Sequence, residues 1–516
     1  MSPVDTDRAR LDLRLVPAAV TGWLVTAAGI LWQITGLATV LCVIGVAAAA
    51  VGWWCRGTAE GANDHAVAAG ALAVVVVGVA FAIAVGLRVD ALRDHPITQK
   101  YGTVAAVVVT PLESPRVVGG NRMLFRASLR ALDGYDASGK VVVFASVAEF
   151  SKLSAGRPVG FRARVGRPTR QDLSVAVLSA TGAPTWGEAA TVYRAAHDVR
   201  SGFADAARGA LPADQSAMLP ALVLGDTSGL SQQTTAEFKA SGLTHLTAVS
   251  GANVTIVCGA VLLSAGLVGP RMAAVLAGVV LLVFVIVVQP SASVLRAAVM
   301  GAITLLAVVS HRRRQAIPAL SATVLALMIA SPELAVDVGF ALSVSATAAL
   351  VVIAPIWSRR LVDRGWPKLL ADAVCVAVAA QLVTAPLIAG VSGRFSVMSV
   401  AANLAVAAVI PPITVVGTAA ATLCPLWPPG ADMLIRFTGP ELWWLLRIAQ
   451  WTANLPGASI SVPSGLPGAV IVAVTGLAAV GSWRWRWTRL GLCVVVVVAL
   501  AWTVSGLSGG HDTIVG

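Results

Sequence analysis

Six polar side chains crowd the start of a long apolar run in SGLTHLTAVSGANV, residues 241–254: Ser241, Thr244, His245, Thr247, Ser250 and Asn253. Polar groups are costly in hydrocarbon, so such a cluster faces either a neighbouring helix or a water-filled path. Thr247, Ser250 and Asn253 fall three apart, close to one helical face, and Gly242 and Gly251 permit a break or a close helix approach. The cluster therefore reads either as small-residue packing glue or as the lining of an aqueous path. The theme recurs in Arg296 of PSASVLRAAVM, Asp337 of VDVGFALSVS, Gln381 and Thr384 of AAQLVTAPL, and Asn403 of AANLAVAAVIPP. Arg296 follows Pro290 by six residues, shallow enough to snorkel and equally placed for anion passage. Asp337 reads as a helix cap or as lining. Polar residues in at least four segments, together with a proline-broken helix, favour a water-accessible path. The expected lining is His245, Ser250, Asn253, Arg296, Asp337, Gln381 and Asn403.

Other chemistries find less support. Ser250-Gly251 with His245 has the residue types of an intramembrane serine hydrolase. However, Ala248 stands where a glycine is needed, and a five-residue spacing does not stack His245 on Ser250. The six histidines form no HxH or HxxxH pair and the six cysteines no CxxC pair, so no metal site is expected. No phosphate-binding loop of the GxxxxGK[ST] kind is present. The expectation is a non-enzymatic protein without cofactors.

These residues must be positioned by membrane helices. Of 516 residues, 57% are hydrophobic and 12% charged, and mean hydropathy is +0.82; soluble domains carry about 25% charged residues. Many runs exceed the roughly 18 apolar residues that cross a bilayer. Candidate spans lie near 16–34, 37–54, 65–87, 243–268, 271–289, 293–310, 315–331, 338–357, 369–389, 396–424, 467–482 and 489–507. The fold class expected is a polytopic α-helical membrane protein of about 11–13 transmembrane helices with one inserted soluble domain.

That insert occupies 97–182. Strand-like pieces (YGTVAAVVVT, MLFRASLRALD, KVVVFASV, RPVGFRARVG, LSVAVLSA) alternate with turn clusters at Gly119-Gly120-Asn121 and Asp136–Gly139. Five strands in this length fit a small OB-like β-barrel. Twelve basic residues against five acidic ones give it more than half of the chain's net charge of +12. Arg126, Arg130, Arg162 and Arg164 alternate with apolar residues, which places each pair on an exposed strand face. With Tyr101 and Tyr135 as stacking surfaces, this face suits a single-stranded polyanion. The phenylalanines of the insert read mainly as barrel core. The domains expected are 1–96, a three-helix membrane segment; 97–182, the barrel; 183–235, a connector with an amphipathic helix over 186–212 lying on the membrane; 236–508, the main membrane domain; and 509–516, a tail.

Loop charge sets orientation. Arg8, Arg10 and Arg14 favour a cytoplasmic N-terminus, so three crossings place the barrel outside the cell membrane. His311–Arg314 and the Arg359–Lys368 loop then fall inside. Arg484, Arg486 and Arg489 should also be inside, which needs one further crossing. Either 396–424, interrupted by Pro411 and Pro412, is broken or re-entrant, or ELWWLLRIAQW crosses too.

The residues also carry a family resemblance. LPALVLGDTSGLS followed by EFKASGLTHLTAVSGANV resembles the central signature of the ComEC family of competence DNA-uptake channels, through Gly242, Leu243, His245, Leu246, Val249, Ser250 and Gly251. Pro290, Ser291, Arg296 and Ala297 follow in order, then Asp337, Gly339, Phe340, Leu342 and Ser343. Gln381, Thr384 and Pro386 precede the last group: Phe395, Ser396, Asn403, Leu404 and Pro411. Members commonly continue Ser-Gly with Leu-His, where this chain has Ala252 and Asn253; asparagine hydrogen-bonds but does not titrate. No HxHxDH motif is present, so the resemblance is to the form without a C-terminal metallo-β-lactamase-like domain, with no nuclease activity. The resemblance implies an inner-membrane channel importing single-stranded DNA during natural transformation. Implied partners are a DNA receptor, a cytoplasmic DNA-translocating ATPase, a separate nuclease and membrane lipid. A small-solute or lipid-precursor transporter is the alternative, and an intramembrane hydrolase the third reading.

Overall fold

Asp133 and Gly134 set the central hairpin of the soluble insert. Both take positive φ, 49° and 86°, as a type I′ loop requires, and Leu132 pairs with Tyr135 across it. The Asp133 amide donates to Ala106 O at 2.8 Å, and Asp133 Oδ1 accepts from the Ala106 amide at 2.9 Å. The turn expected at Asp136–Gly139 is instead part of a strand. Gly139 is there for space: a Cβ would stand 2.9 Å from both Val175 methyls. The computed structural model describes residues 12–33, 64–264, 269–289, 291–309 and 315–482. The expected spans at 37–54 and 489–507, the basic loops at 311–314 and 484–489, the tail and Pro290 lie outside the described residues.

The strands are β1 (Val104–Pro111), β2 (Arg116–Gly119), β3 (Arg122–Leu132), β4 (Tyr135–Ser146), β5 (Val159–Gly166) and β6 (Ser174–Trp186). All five expected strands form, and β2 is an added hairpin arm on β3. The sheet runs β1-β5-β6-β4-β3, and β3 pairs again with β1, closing a five-stranded barrel. Its pairings are antiparallel except β4 with β6. Strict alternation fills the interior with Val107, Val109, Phe125, Val141, Val143, Phe161, Val165 and Leu178. Phe150 closes one end, edge-on to Phe161 at 5.4 Å and to Trp186 at 6.2 Å.

The chain divides into two compact units, one formed by the described parts of Met1–Asp205, Val249–Val344 and Ala421–Trp427, the other by Ala206–Ala248, Ser345–Ala420 and Pro428–Gly516. In the first, helices α1 (Val16–Trp32) and α2 (Asp64–Arg93) pack through small residues, with Gly22 against Phe81 and Gly29 against Val85. After the barrel comes α3 (Thr191–Ala210), shorter than expected; Ala196, Arg200 and Phe203 are buried and Val192 is exposed. The second unit supplies α4 (Ala213–Leu224) and α5 (Gln232–Ser241). The first resumes with α6 (Gly251–Ser264), α7 (Pro270–Val288), α8 (Ala292–Val309), α9 (Ala316–Ala330) and the start of α10 (Val338–Val362). Arg200 Nη1 donates to the last carbonyls of α7, Val287 O at 3.2 Å and Val288 O at 3.4 Å, as a cation at a helix C-terminus does.

The second unit continues with α11 (Lys368–Ser392), α12 (Ser399–Val406), α13 (Ile410–Leu423), α14 (Pro428–Phe437), α15 (Gly439–Asn454) and α16 (Leu466–Ser482). Helices α11 and α16 meet through Gly390, Gly465 and Ala469, where a Cβ on Gly390 would lie 3.2 Å from the last two. The 396–424 segment is broken: α12 and α13 bend by 55°. Pro411 and Pro412 fall in the first turn of α13, where no intrahelical amide is lost. Among the described residues, Leu72–Lys100, Arg271–Val288, Val338–Val362 and Lys368–Ser392 are long and apolar enough to cross a membrane, and five shorter apolar helices accompany them.

Candidate functional site

The opening polar stretch is not one helix. Helix α5 ends at Gly242, whose φ of 77° forms its left-handed cap. A 3-10 turn covers Thr244–Leu246, and α6 starts only at Gly251. Much of the stretch closes the preceding chain: Ser241 Oγ and Thr244 Oγ1 both donate to Phe238 O at 3.2 Å, and Thr247 Oγ1 donates to Thr244 O at 2.8 Å. His245 lies in the turn and is exposed. Thr247, Ser250 and Asn253 therefore do not share a helical face. Ser250 precedes the helix and donates to Asn253 Oδ1 at 3.2 Å, a bond between helix-start residues, and Asn253 is buried. Serine, threonine and asparagine satisfy helix ends in this way, a competing use that their apolar surroundings conceal in the sequence.

Arg296, in the second turn of α8, is turned inward rather than snorkelling: it is 6% exposed. Its Nε donates to Ser343 Oγ of α10 at 2.6 Å, and Nη1 lies 3.8 Å from Met300 Sδ. Ser293 and Ser343 hydroxyls are 3.3 Å apart. Nη2 sits so close to the start of α6 that a Cβ on Gly251 would be 2.4 Å from it. Gly251 is thus required by the guanidinium.

Asp337 caps α10, accepting from the Phe340 amide at 2.8 Å. Its other oxygen is 3.7 Å from Arg126 Nη1 on the barrel. Beside it, Lys140 of β4 pairs with Glu333. The Ser114 amide and hydroxyl donate to Gln289 Oε1 at 3.0 and 2.9 Å. Asp337 and Arg126, expected in a lining and a capture face respectively, thus meet in a seam between the barrel and the loops before α8 and α10.

In the second unit, Gln381 and Asn403 join a hub that sequence reasoning missed, Ser399. Its hydroxyl donates to Gln381 Oε1 at 2.9 Å, and Asn403 Nδ2 donates to Ser399 O at 2.8 Å and lies 3.3 Å from Ser399 Oγ. Ser396 Oγ reaches Ala240 O at 2.8 Å, and a Cβ on Gly242 would stand 2.6 Å from Ser399. The four-residue spacing of Ser399 and Asn403 was the available signal.

On the barrel, Arg130, Arg162 and Arg164 project outward from β3 and β5, with β1 between those strands. Arg164 also lines a concave site of about 550 Å³ with Tyr101, Arg167, Thr169 and Ser179. Arg167 lies 5.8 Å over the Tyr101 ring. The Tyr101 hydroxyl donates to Val175 O at 2.7 Å, and burial pushes it above the usual phenol value against the opposing charge of Arg167. Tyr135 is 80% exposed. Phe125, Phe150 and Phe161 are core, unavailable for stacking, whereas Phe144 carries Arg122 over its ring at 5.1 Å. Lys100 bridges Asp133 at 2.9 Å; that hydrogen bond and the Ala106 amide hold the Asp133 carboxyl below the usual carboxylate range. Arg167 was overlooked because it falls in the loop after β5, where strand alternation says nothing.

A family model described as "Competence protein" matches residues 222–487, just over half of the chain. No curated protein and no solved structure matches it.

Proposed function

The chain belongs to the competence protein family, and from that premise we propose that it is an inner-membrane channel that imports single-stranded DNA during natural transformation. The observation that carries this reading is the outward arginine face of the barrel, which continues into the Tyr101–Arg167 concavity. A single strand needs cations along its phosphates and ring faces for its bases, and a barrel of OB type presents both on one surface. Strand order supports the OB assignment: consecutive antiparallel strands, one parallel pair and closure of β3 on β1.

In this reading the N-terminus is cytoplasmic and the barrel extracytoplasmic, above about 11–13 spans. The lining proposed is Ser250, Asn253 and Arg296 in the first unit and His245, Gln381 and Asn403 in the second, each set within its own unit, and Asp337 ties the barrel to the first. The chain conducts rather than catalyses. A surface receptor delivers DNA, a separate nuclease removes the other strand, and a cytoplasmic ATPase draws the strand in. The test is passage of a labelled single-stranded oligonucleotide into vesicles reconstituted with the full chain. Passage of single strands but not duplex supports the proposal; passage of small solutes alone refutes it.

A further inference from the structure

Arg296 raises an electrostatic problem that the described residues around it leave unsolved. A guanidinium is charged at every working pH, and burying it is costly unless an anion compensates it. Arg296 is 6% exposed, yet its partners are a serine hydroxyl and a thioether, both neutral. Among the described residues no carboxylate lies within 4.0 Å of it. Nη2, with no acceptor among the described residues, points at the start of α6. That end of a 14-residue helix carries about half a positive charge of its own. Two positive ends therefore abut in a buried place, an arrangement that repels itself unless an anion joins them.

We propose that Arg296 and the N-terminus of α6 form a phosphate-binding site inside the helical part of the chain, which takes successive phosphates of the incoming strand. The proposal rests on the DNA-uptake reading for the identity of the phosphate, and on geometry alone for the site. Its position suits a relay. Asp337, which holds barrel residue Arg126, and Ser343, which holds Arg296, are six residues apart on α10, about 9 Å along the helix. Gln289, which holds Ser114 of the insert, lies three residues before α8. The Ser293 and Ser343 hydroxyls, 3.3 Å apart, add neutral polar groups at the same guanidinium.

The experiment uses the purified full chain in detergent, melted in a sodium phosphate series against sodium chloride of matched ionic strength. Wild type should melt higher as phosphate saturates the site, by mass action on the folded state. Arg296→Gln should show no phosphate-dependent rise, and in chloride should melt at or above wild type because an uncompensated charge is gone. The Arg162→Gln/Arg164→Gln variant should keep the rise. A wild type without a phosphate-dependent rise, or Arg296→Gln retaining one, overturns the site. Should Arg296→Gln fail to fold, Arg296→Lys decides: it keeps the charge, and loss of the response in a folded Lys variant supports a forked contact, while an unchanged response refutes it. A dT oligonucleotide should displace phosphate from the barrel variant, and an uncharged methylphosphonate strand should not. A site that takes phosphate and ignores the oligonucleotide overturns the strand assignment. A barrel that ignores DNA while the phosphate response persists defeats the uptake reading and spares the site.

Discussion

Removing two barrel arginines by Arg162→Gln/Arg164→Gln is expected to change the salt dependence of DNA binding more than any other property. Each phosphate contact on a single strand contributes about −0.7 to the slope of log affinity against log salt. Arg130, Arg162, Arg164 and Arg167 are the outward arginines around β1 and the concavity. Four contacts give a slope of about −2.8, or about 50-fold weaker binding between 50 and 200 mM salt. The double variant should fall to about −1.4, about 7-fold over the same range. Arg126→Gln should leave the slope unchanged, because Asp337 already occupies that guanidinium. The assay is fluorescence anisotropy of a labelled dT oligonucleotide with the full chain in detergent. A slope unaltered in the double variant, or lowered as much by Arg126→Gln, would refute the assignment of the capture face.

Three further outcomes follow from single sites. Phe150→Ala removes a fully buried ring that packs on Phe161 and Trp186, so barrel stability should drop by about 3–5 kcal/mol, read as earlier loss of β-sheet signal on urea titration. Asp337→Ala loses the cap of α10 at about 0.5–2 kcal/mol, whereas Asp337→Asn keeps a capping oxygen and should melt near wild type while abolishing the Arg126 pair. Asp133 has a lowered pKa in the folded state, so its stabilisation is complete above the ordinary carboxylate value and disappears as pH falls through the lowered one. Asp133→Asn should flatten that part of the acid unfolding profile; a profile identical to wild type would show that Lys100 and the Ala106 amide contribute nothing there.

What the sequence determined by itself was whatever depends on neighbours in the chain. Apolar run length marks helices able to span a bilayer, and two-residue alternation located five barrel strands and put Arg130, Arg162 and Arg164 outside, because side-chain direction in a strand is set by the backbone. Asp133-Gly134 was also legible as a positive-φ pair and was overlooked in favour of Asp136–Gly139. Tertiary structure alone decided how each polar group is used. Ser250 and Asn253 bond to each other at a helix start, Asp337 meets Arg126 from more than two hundred residues away, and Ser399 gathers Gln381 and Asn403. Arg296 is the clearest case. Its position suits snorkelling as well as burial, and only the approach of Gly251 and Ser343 from two other helices turns it inward. Hydrogen bonds and charges act at about 3 Å in space whatever the separation along the chain, so a pattern of residue types names the polar groups and the fold chooses their partners.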